Sequence, residues 1–379
     1  MRIAALVQQV PAHDGAESEM EATSRRVAAQ AVELAAAVGD GECTAITVGT
    51  ERAEDVLRET IAWASSCSVM ADGILVSDPA FEELDTLGIA RVLAATIERE
   101  GPYDLILVGD HSSDHDDGAI GPHLAELLDL PFLGPARFLS MQGHVLHVRC
   151  ERDEGFMQAT VSLPAIVSCG MDLIPPCEIP ASVRTTVVAE RMRTVAAADL
   201  GWKAERDALA ALAIPAPTTS VPASRGVVGP AVVVVAELGH ENRTRALIGL
   251  SAALAAQMDG HVVALTTDTP DASVLGSWGA DEIVAITGAI IEEDVARALA
   301  DWGQDTGVAA VMASTSPWGR EISGRSAVRL SGEIPHLTIR PGPDVPEPRA
   351  PAEVAVRTIN VRPRRRVRVA SRTHRELAR

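Results

Sequence analysis

A chain of 379 residues suggests two or three domains and is ample for a buried core. Aromatic residues make up only 3% of it, so Ala, Val, Leu and Ile must fill that core, a composition that suits parallel strands under alanine-rich helices. Residues 357–379 carry nine arginines against one glutamate, so a net charge of −19 leaves −27 on residues 1–356, which argues against nucleic acid as a partner of the body. Residues 3–7 read as a strand, and 24–38 carry Val27, Ala28, Val32, Leu34 and Ala35 at helical spacing. A strand at 44–48, a helix from about 54 to 65 and a strand at 73–76 follow. Asp85 caps the next helix, Leu87, Val92, Leu93 and Ile97 lie towards one face of it, and Gly101-Pro102 stops it. Residues 104–109 form the fourth strand, and such alternation implies a parallel sheet with helices on both faces.

After Pro131 the pattern changes. Residues 145–152 and 157–163 flank Asp153-Glu154-Gly155 and read as a hairpin added to the sheet edge. Residues 213–230 are a Pro/Ser/Thr linker, and 341–351 are another proline-rich one. Between them, about 231–340, the opening pattern returns in the same order. Residues 232–236 echo 3–7, 263–269 echo 44–50, and 308–313 echo 104–109. The prolines of Ile334-Pro335-His336 and Leu130-Pro131-Phe132 mark matching strands. Four matched landmarks point to two copies of one α/β unit. The arginine-rich end reads either as an arm drawn to acidic partners, the body included, or as an edge strand through Val361-Arg362 and Arg366-Val367-Arg368-Val369.

Cys43, Cys67, Cys150, Cys169 and Cys177 form no CxxC and read as buried free thiols of a reducing compartment. The N-terminus is too short for a signal-peptide apolar region, and no uninterrupted run of about 18 apolar residues exists. The expectation is a cytoplasmic protein.

In an open parallel sheet, ligands sit at the carboxyl ends of the strands. The loop there in the first copy is Gly109, Asp110, His111, Ser112, Ser113, Asp114, His115, Asp116, Asp117, Gly118, Ala119, Ile120, Gly121 and Pro122. Gly109 lets a ligand approach the backbone, and the amides entering helix 119–128 can receive a phosphate. Four aspartates would repel one unless amides or a cation offset them. Three readings stand: a solvated acidic loop, a nucleotide site, and a metal site from Asp110, His111, Asp114, His115 and Asp116, which no regular ligand spacing supports. His123, one turn on, reads as solvated. Ser314, Thr315 and Ser316 read as caps of the matching second-copy helix, and Arg320 as a salt-bridge former or an anion contact.

At equal length the loop resembles the adenine-nucleotide loop of the β subunit of electron transfer flavoproteins, which typically reads Gly-Arg-Gln-Thr-Ile-Asp-Gly-Asp-Thr-Ala-Gln-Val-Gly-Pro. Gly109, Asp114, Asp116, Gly121 and Pro122 agree, Ile120 stands for valine, and Ala119 replaces a glutamine. The likeness covers about residues 1–201. It includes the opening Met-Arg-Ile-Ala-Ala-Leu-Val-Gln-Gln-Val-Pro, Val48-Gly49-Thr50-Glu51-Arg52-Ala53-Glu54, and the closing Asp199-Leu200-Gly201. Residues 231–340 look instead like the first domain of the α subunit, through Val-Val-Val-Val-Ala-Glu at 232–237, Gly279-Ala280-Asp281 and Trp318-Gly319-Arg320-Glu321. Glu21-Ala22-Thr23-Ser24-Arg25 stands where the family has Asn-Pro-Phe-Asp-Glu, so part of the adenine pocket is expected to be missing. The partner-recognition segment corresponds to residues 182–192, which hold Arg184 and Arg191 but no lysine. Residues 341–379 do not resemble the family's flavin-binding α domain, so the redox flavin is expected outside this chain.

The resemblance implies two Rossmann-like (adenine-nucleotide α-hydrolase-like) α/β domains with parallel sheets, arranged as a pseudo-symmetric pair. Their expected bounds are 1–212, a linker at 213–230, 231–340, and a Pro-rich linker with an Arg-rich tail at 341–379. It implies an electron-carrier subunit, not a catalyst, working as a heterodimer. AMP or the adenine part of FAD would lie at residues 109–120, with Leu6 and Val48 lining the pocket. The redox FAD would sit in a partner chain of the FAD-binding α type, which takes electrons from a dehydrogenase to a membrane quinone oxidoreductase. The alternative from another class is a nucleotide-binding regulatory or stress-type α/β protein with no redox role.

Overall fold

Wherever the sequence runs apolar for five to seven residues and then turns amphipathic, the chain folds as a strand followed by a helix. The computed structural model describes residues 1–11, 19–111, 118–153, 155–171, 173–174, 191–203, 214–216, 218–237, 239–268, 270–330, 334–340, 345–350 and 353–374. They form two compact units, Met1–Arg206 with Arg366–Arg379, and Asp207–Arg365.

The first unit opens with β1 (Arg2–Leu6), the short antiparallel pair β2 (Gln9–Val10) and β3 (Glu19–Met20), and α1 (Ala22–Val38). It continues through β4 (Glu42–Val48), α2 (Glu54–Ser66), β5 (Met70–Val76), α3 (Thr86–Glu100), β6 (Leu105–Gly109) and α4 (Ile120–Leu127). Then come β7 (Phe132–Gln142), β8 (Val145–Arg152), β9 (Gly155–Ser162), β10 (Ala165–Cys169) and β11 (Met192–Val195). With β18 (Val367–His374), the described residues make a ten-stranded sheet in the order β11-β5-β4-β1-β6-β10-β7-β8-β9-β18. The stretch from β11 to β7 is parallel. Ile3, Ala4 and Ala5 of β1 are buried side by side, because helices cover both faces there. By contrast β8 and β9, antiparallel from Val145↔Ser162 to Arg152↔Gly155, alternate buried and exposed residues and so have one covered face.

The second unit comprises β12 (Ala231–Val235), α5 (Glu241–Gln257), β13 (His261–Thr266), α6 (Ala272–Trp278), β14 (Glu282–Thr287), α7 (Glu292–Gly303), β15 (Val308–Ser314), α8 (Pro317–Arg329), β16 (His336–Ile339) and β17 (Ala355–Asn360). Its described strands form one parallel sheet, β16-β15-β12-β13-β14-β17. Position for position this repeats β10-β6-β1-β4-β5-β11 of the first unit. Val, Ile, Leu and Ala dominate both cores, with Phe81, Tyr103 and Phe132 in the first and Met312 in the second, and each fully buried Val, Leu or Ile contributes about 1.5–3 kcal/mol.

Several expectations are corrected. The proline-marked β7 does not occupy the place of β16; β10, which follows Leu163-Pro164, lies there beside β6, and β7 is pushed one place outward. The hairpin is not the edge either, since β18 pairs antiparallel with β9 from Val367↔Val161 to His374↔Gly155. The arginine-rich end thus forms the edge strand read for it, as β18, with β17 before it in the segment read as linker and tail, and its arginines meet acids of the body. Arg357 contacts the buried Glu282 at 2.5 Å, Arg364 the buried Glu293 at 3.5 Å, and Arg366 contacts Asp129 at 3.1 Å. Alternation of Val with Arg lets the strand bury one side and leave the cations at the surface. Cys43, Cys150 and Cys169 are buried in strands, but Cys67, at the end of α2, is exposed; Cys177 lies outside the described residues. Among the described residues no helix is long and apolar enough to cross a membrane.

Candidate functional site

The carboxyl ends of β1, β4 and β6 open onto a cavity of about 500 Å³ in the first unit. That is within the ordinary range for small-molecule sites, roughly 300–1,000 Å³. Its floor is apolar: Leu6 and Val7 from β1 and its end, Ile46 and Val48 from β4, Val108 from β6, Ile89 and Leu93 from α3, and Ile120 from α4. Polar groups line the rest, with Gln8, Thr23 and Ser24 on one side, Asp85 and Thr86 on another, and His111 at the loop.

A buried hydrogen-bond network builds the Thr23 side. Glu21, 3% exposed, caps α1 by accepting from the Ser24 amide at 2.9 Å. The Ser24 hydroxyl accepts from the Gln8 amide at 2.9 Å, and the Glu21 amide donates to the Gln8 carbonyl at 2.9 Å. The Thr23 hydroxyl contacts the Glu21 carboxylate and lies 2.9 Å from the His111 carbonyl. It also explains Gly109, where a Cβ would come within 2.5 Å of Thr23 Oγ1. On the α3 side, Asp85 accepts from the Gly88 amide at 2.7 Å and holds the start of that helix against the cavity.

At the fourth helix the loop returns through Gly118, whose φ of +57° suits glycine, and Ala119, which has no side chain able to cap α4. Its first turn, with the amides of Ile120 and Gly121 ahead of Pro122, carries the positive end of the helix dipole. Next to the loop, His111 Nδ1 lies 2.8 Å from Asp110 Oδ1. Burial pushes the Cys169 thiol well above its ordinary value, and the Asp110 carboxylate adds to the shift.

Of the residues singled out in the sequence, Leu6, Val48, Gly109, His111, Gly118 and Ile120 lie on the cavity wall. Asp110 and Ala119 adjoin it in the chain, and Ser112, Ser113, Asp114, His115, Asp116 and Asp117 lie outside the described residues. Two expectations change here. His123 is buried, not solvated, in a first turn of α4 where Gly121, Pro122 and Leu124 are buried with it. The segment from Glu21 to Arg25, expected to leave the pocket incomplete, supplies Thr23 and Ser24 to its wall. That contribution, like the α3 wall, was missed. The available signal was that Thr23-Ser24 follows the first strand just where helical periodicity begins.

The second unit has the matching strand ends but another arrangement. Ser316 caps α8 by accepting from the Gly319 amide at 2.9 Å, so the serine cap expected there is present. Its hydroxyl donates to Glu237 Oε1 at 2.6 Å, Ser314 contacts the same oxygen, and Arg243 lies 3.2 Å from the other.

Parallel strands, helices after each strand, and a half-apolar cavity at the strand carboxyl ends define a Rossmann-like α/β protein. Comparison with known families narrows that class. The model of the electron transfer flavoprotein domain matches residues 10–199, half of the chain, and the chain belongs to that family. The chain is 27% identical over 190 residues to the electron transfer flavoprotein subunit beta of Thermoanaerobacterium thermosaccharolyticum, covering 46% of this chain and 70% of that protein. It is 29% identical over 213 residues to the subunit beta of Megasphaera elsdenii, covering 50% and 76%. It is 30% identical over 133 residues to the acryloyl-CoA reductase electron transfer subunit gamma of Anaerotignum propionicum, covering 35% of this chain and 48% of that protein.

Proposed function

We propose that this chain is an electron-transfer subunit that holds an adenine nucleotide in the first-unit cavity and works with a flavin-bearing partner chain. The observation that carries the reading is the cavity at the ends of β1, β4 and β6, inside the segment that the family model matches. Its chemistry suits such a ligand. Leu6, Ile46, Val48 and Ile89 offer an apolar slot for a flat ring, Thr23 and Ser24 line its polar side, and the start of α4 brings the positive end of a helix dipole to it. We assign Leu6, Val48 and residues 109–120 to it. Bound elsewhere in the complex, a flavin supplies the redox chemistry; this chain binds, orients and shields.

In this reading residues 231–340 are an α-type N-terminal domain fused to a β-type one, and the FAD-binding domain comes from a separate chain. Electrons enter from a dehydrogenase and leave to a quinone-linked acceptor. Relatives named as electron transfer flavoprotein subunits, and one named as a subunit of acryloyl-CoA reductase, support work within a larger redox complex. The test is denaturing release of ligand from natively purified protein, read by absorbance and mass spectrometry. AMP without flavin is expected. FAD at one per chain would overturn the separate flavin chain. A protein that arrives empty and takes up no added AMP would overturn the nucleotide site.

A further inference from the structure

The cavity is bounded by three elements that meet at one side chain. Thr23, 1% exposed, belongs to the first turn of α1, and its hydroxyl oxygen contacts the Glu21 carboxylate that caps that helix. The same oxygen lies 2.9 Å from the carbonyl of His111, where the loop leaves β6. It also fills the space a Cβ would need at Gly109. Through Ser24 and Gln8 the network continues to the end of β1. Two acceptors face one hydroxyl proton, and both are fixed: the carboxylate by the Ser24 amide, the carbonyl by the strand it follows. Loss of the hydroxyl takes a partner from both acceptors, one buried and one partly buried at the cavity wall.

We infer that Thr23 is the positioning residue of the site: its hydroxyl sets where the loop leaves β6, and so the shape of the wall that receives the ligand. The inference rests on the nucleotide reading above for what the wall receives, but the effect on the loop itself is independent of it. Thr23 acts through the His111 carbonyl and the Gly109 backbone, so the hydroxyl matters and the methyl group does not. Serine keeps the hydroxyl, whereas valine keeps the shape and loses it.

The experiment uses the full chain with AMP as probe, comparing parent, Thr23→Val and Thr23→Ser by titration calorimetry. Amide hydrogen exchange at residues 109–111 and 118–120 is followed in the ligand-free proteins. Thr23→Val is expected to weaken AMP binding about tenfold and to speed exchange at those amides, with Thr23→Ser close to parent in both. A general loss of stability would instead speed exchange throughout the sheet and would not be rescued by serine alone. Thr23→Ala removes the hydroxyl without changing the backbone demand and gives the same reading should the valine protein not fold. Parental exchange in Thr23→Val overturns the inference. If the parent itself ignores AMP, the nucleotide reading fails, and the exchange arm still decides whether Thr23 positions the loop.

Discussion

The two units share one strand order and part company at the carboxyl ends of their strands. The equivalence is close. In the first, the Val7 amide donates to the Ile46 carbonyl at 3.0 Å; in the second, the Ala236 amide donates to the Leu265 carbonyl at 2.9 Å. The next residue is Gln8 in one and Glu237 in the other. Gln8 leaves a cavity open beside it. Glu237 brings a carboxylate to the start of α8, where Ser314 and Ser316 hold it. The first-unit helix, α4, begins instead at an alanine. One topology thus gives a helix that starts at an alanine beside a cavity and one whose start holds a carboxylate of its own unit. What decides between them is the side chain just past the first strand and the residue at the helix cap.

The largest expected difference between the units is alkaline. All five cysteines fall outside residues 207–365. Burial raises the Cys43 thiol from 9.0 to about 12, and burial followed by Asp110 raises Cys169 further. Both thiols stay protonated in the fold, while the unfolded chain loses the proton near pH 9. Their contribution is therefore complete below pH 9 and declines as pH rises towards the folded values, by up to about 1.4 kcal/mol per pH unit per thiol. Denaturant melts from pH 8 to 11 should show the first unit weakening more steeply than the second. Cys43→Ala with Cys169→Ala should flatten that slope; a slope unchanged in the double variant would rule the thiols out.

Glu237→Ala tests the closed end. It removes the carboxylate that both hydroxyls and the Arg243 cation contact, so a loss of about 2 kcal/mol is expected by chemical denaturation, with no change in retained nucleotide. Gly109→Ala tests the open end. The new methyl group must displace Thr23, and AMP binding by calorimetry should fall about tenfold, corresponding to about 1.4 kcal/mol. Unaltered binding would mean that the wall around Thr23 yields easily. The smallest effect is a control on the second unit. Arg225 and Asp259 form an exposed pair, and Arg225→Ala should shift stability by less than about 0.5 kcal/mol.

Much of the fold was legible in the sequence because apolar period and helix punctuation are local. The Asp85 cap, the Gly101-Pro102 stop and the repeat of strand and helix along the chain could be read without any tertiary knowledge. The place of β10 could not. Nothing in residues 165–169 says that they pass inside β7 to pair with β6, because strand neighbours are chosen by tertiary packing. The loop after β6 was legible through its glycines and its position at the strand ends. The part of the wall made by Thr23 and Ser24 was obscured because serine and threonine before a helix read first as caps. Here the capping is done by Glu21, a residue type less common in that role, which leaves the two hydroxyls to other partners.

The pairing of β18 with β9 has a consequence for the order in which the protein is made. Residues 367–374 leave the ribosome roughly two hundred residues after the strand they join, an interval on the order of 10–40 s at about 5–20 residues per second. Through that interval β9 presents an open edge of unpaired amides and carbonyls to any neighbouring chain. The sheet that holds β9 is thus completed only after the whole second unit has been made, and a pause in translation between the two strands would prolong the exposure of that edge.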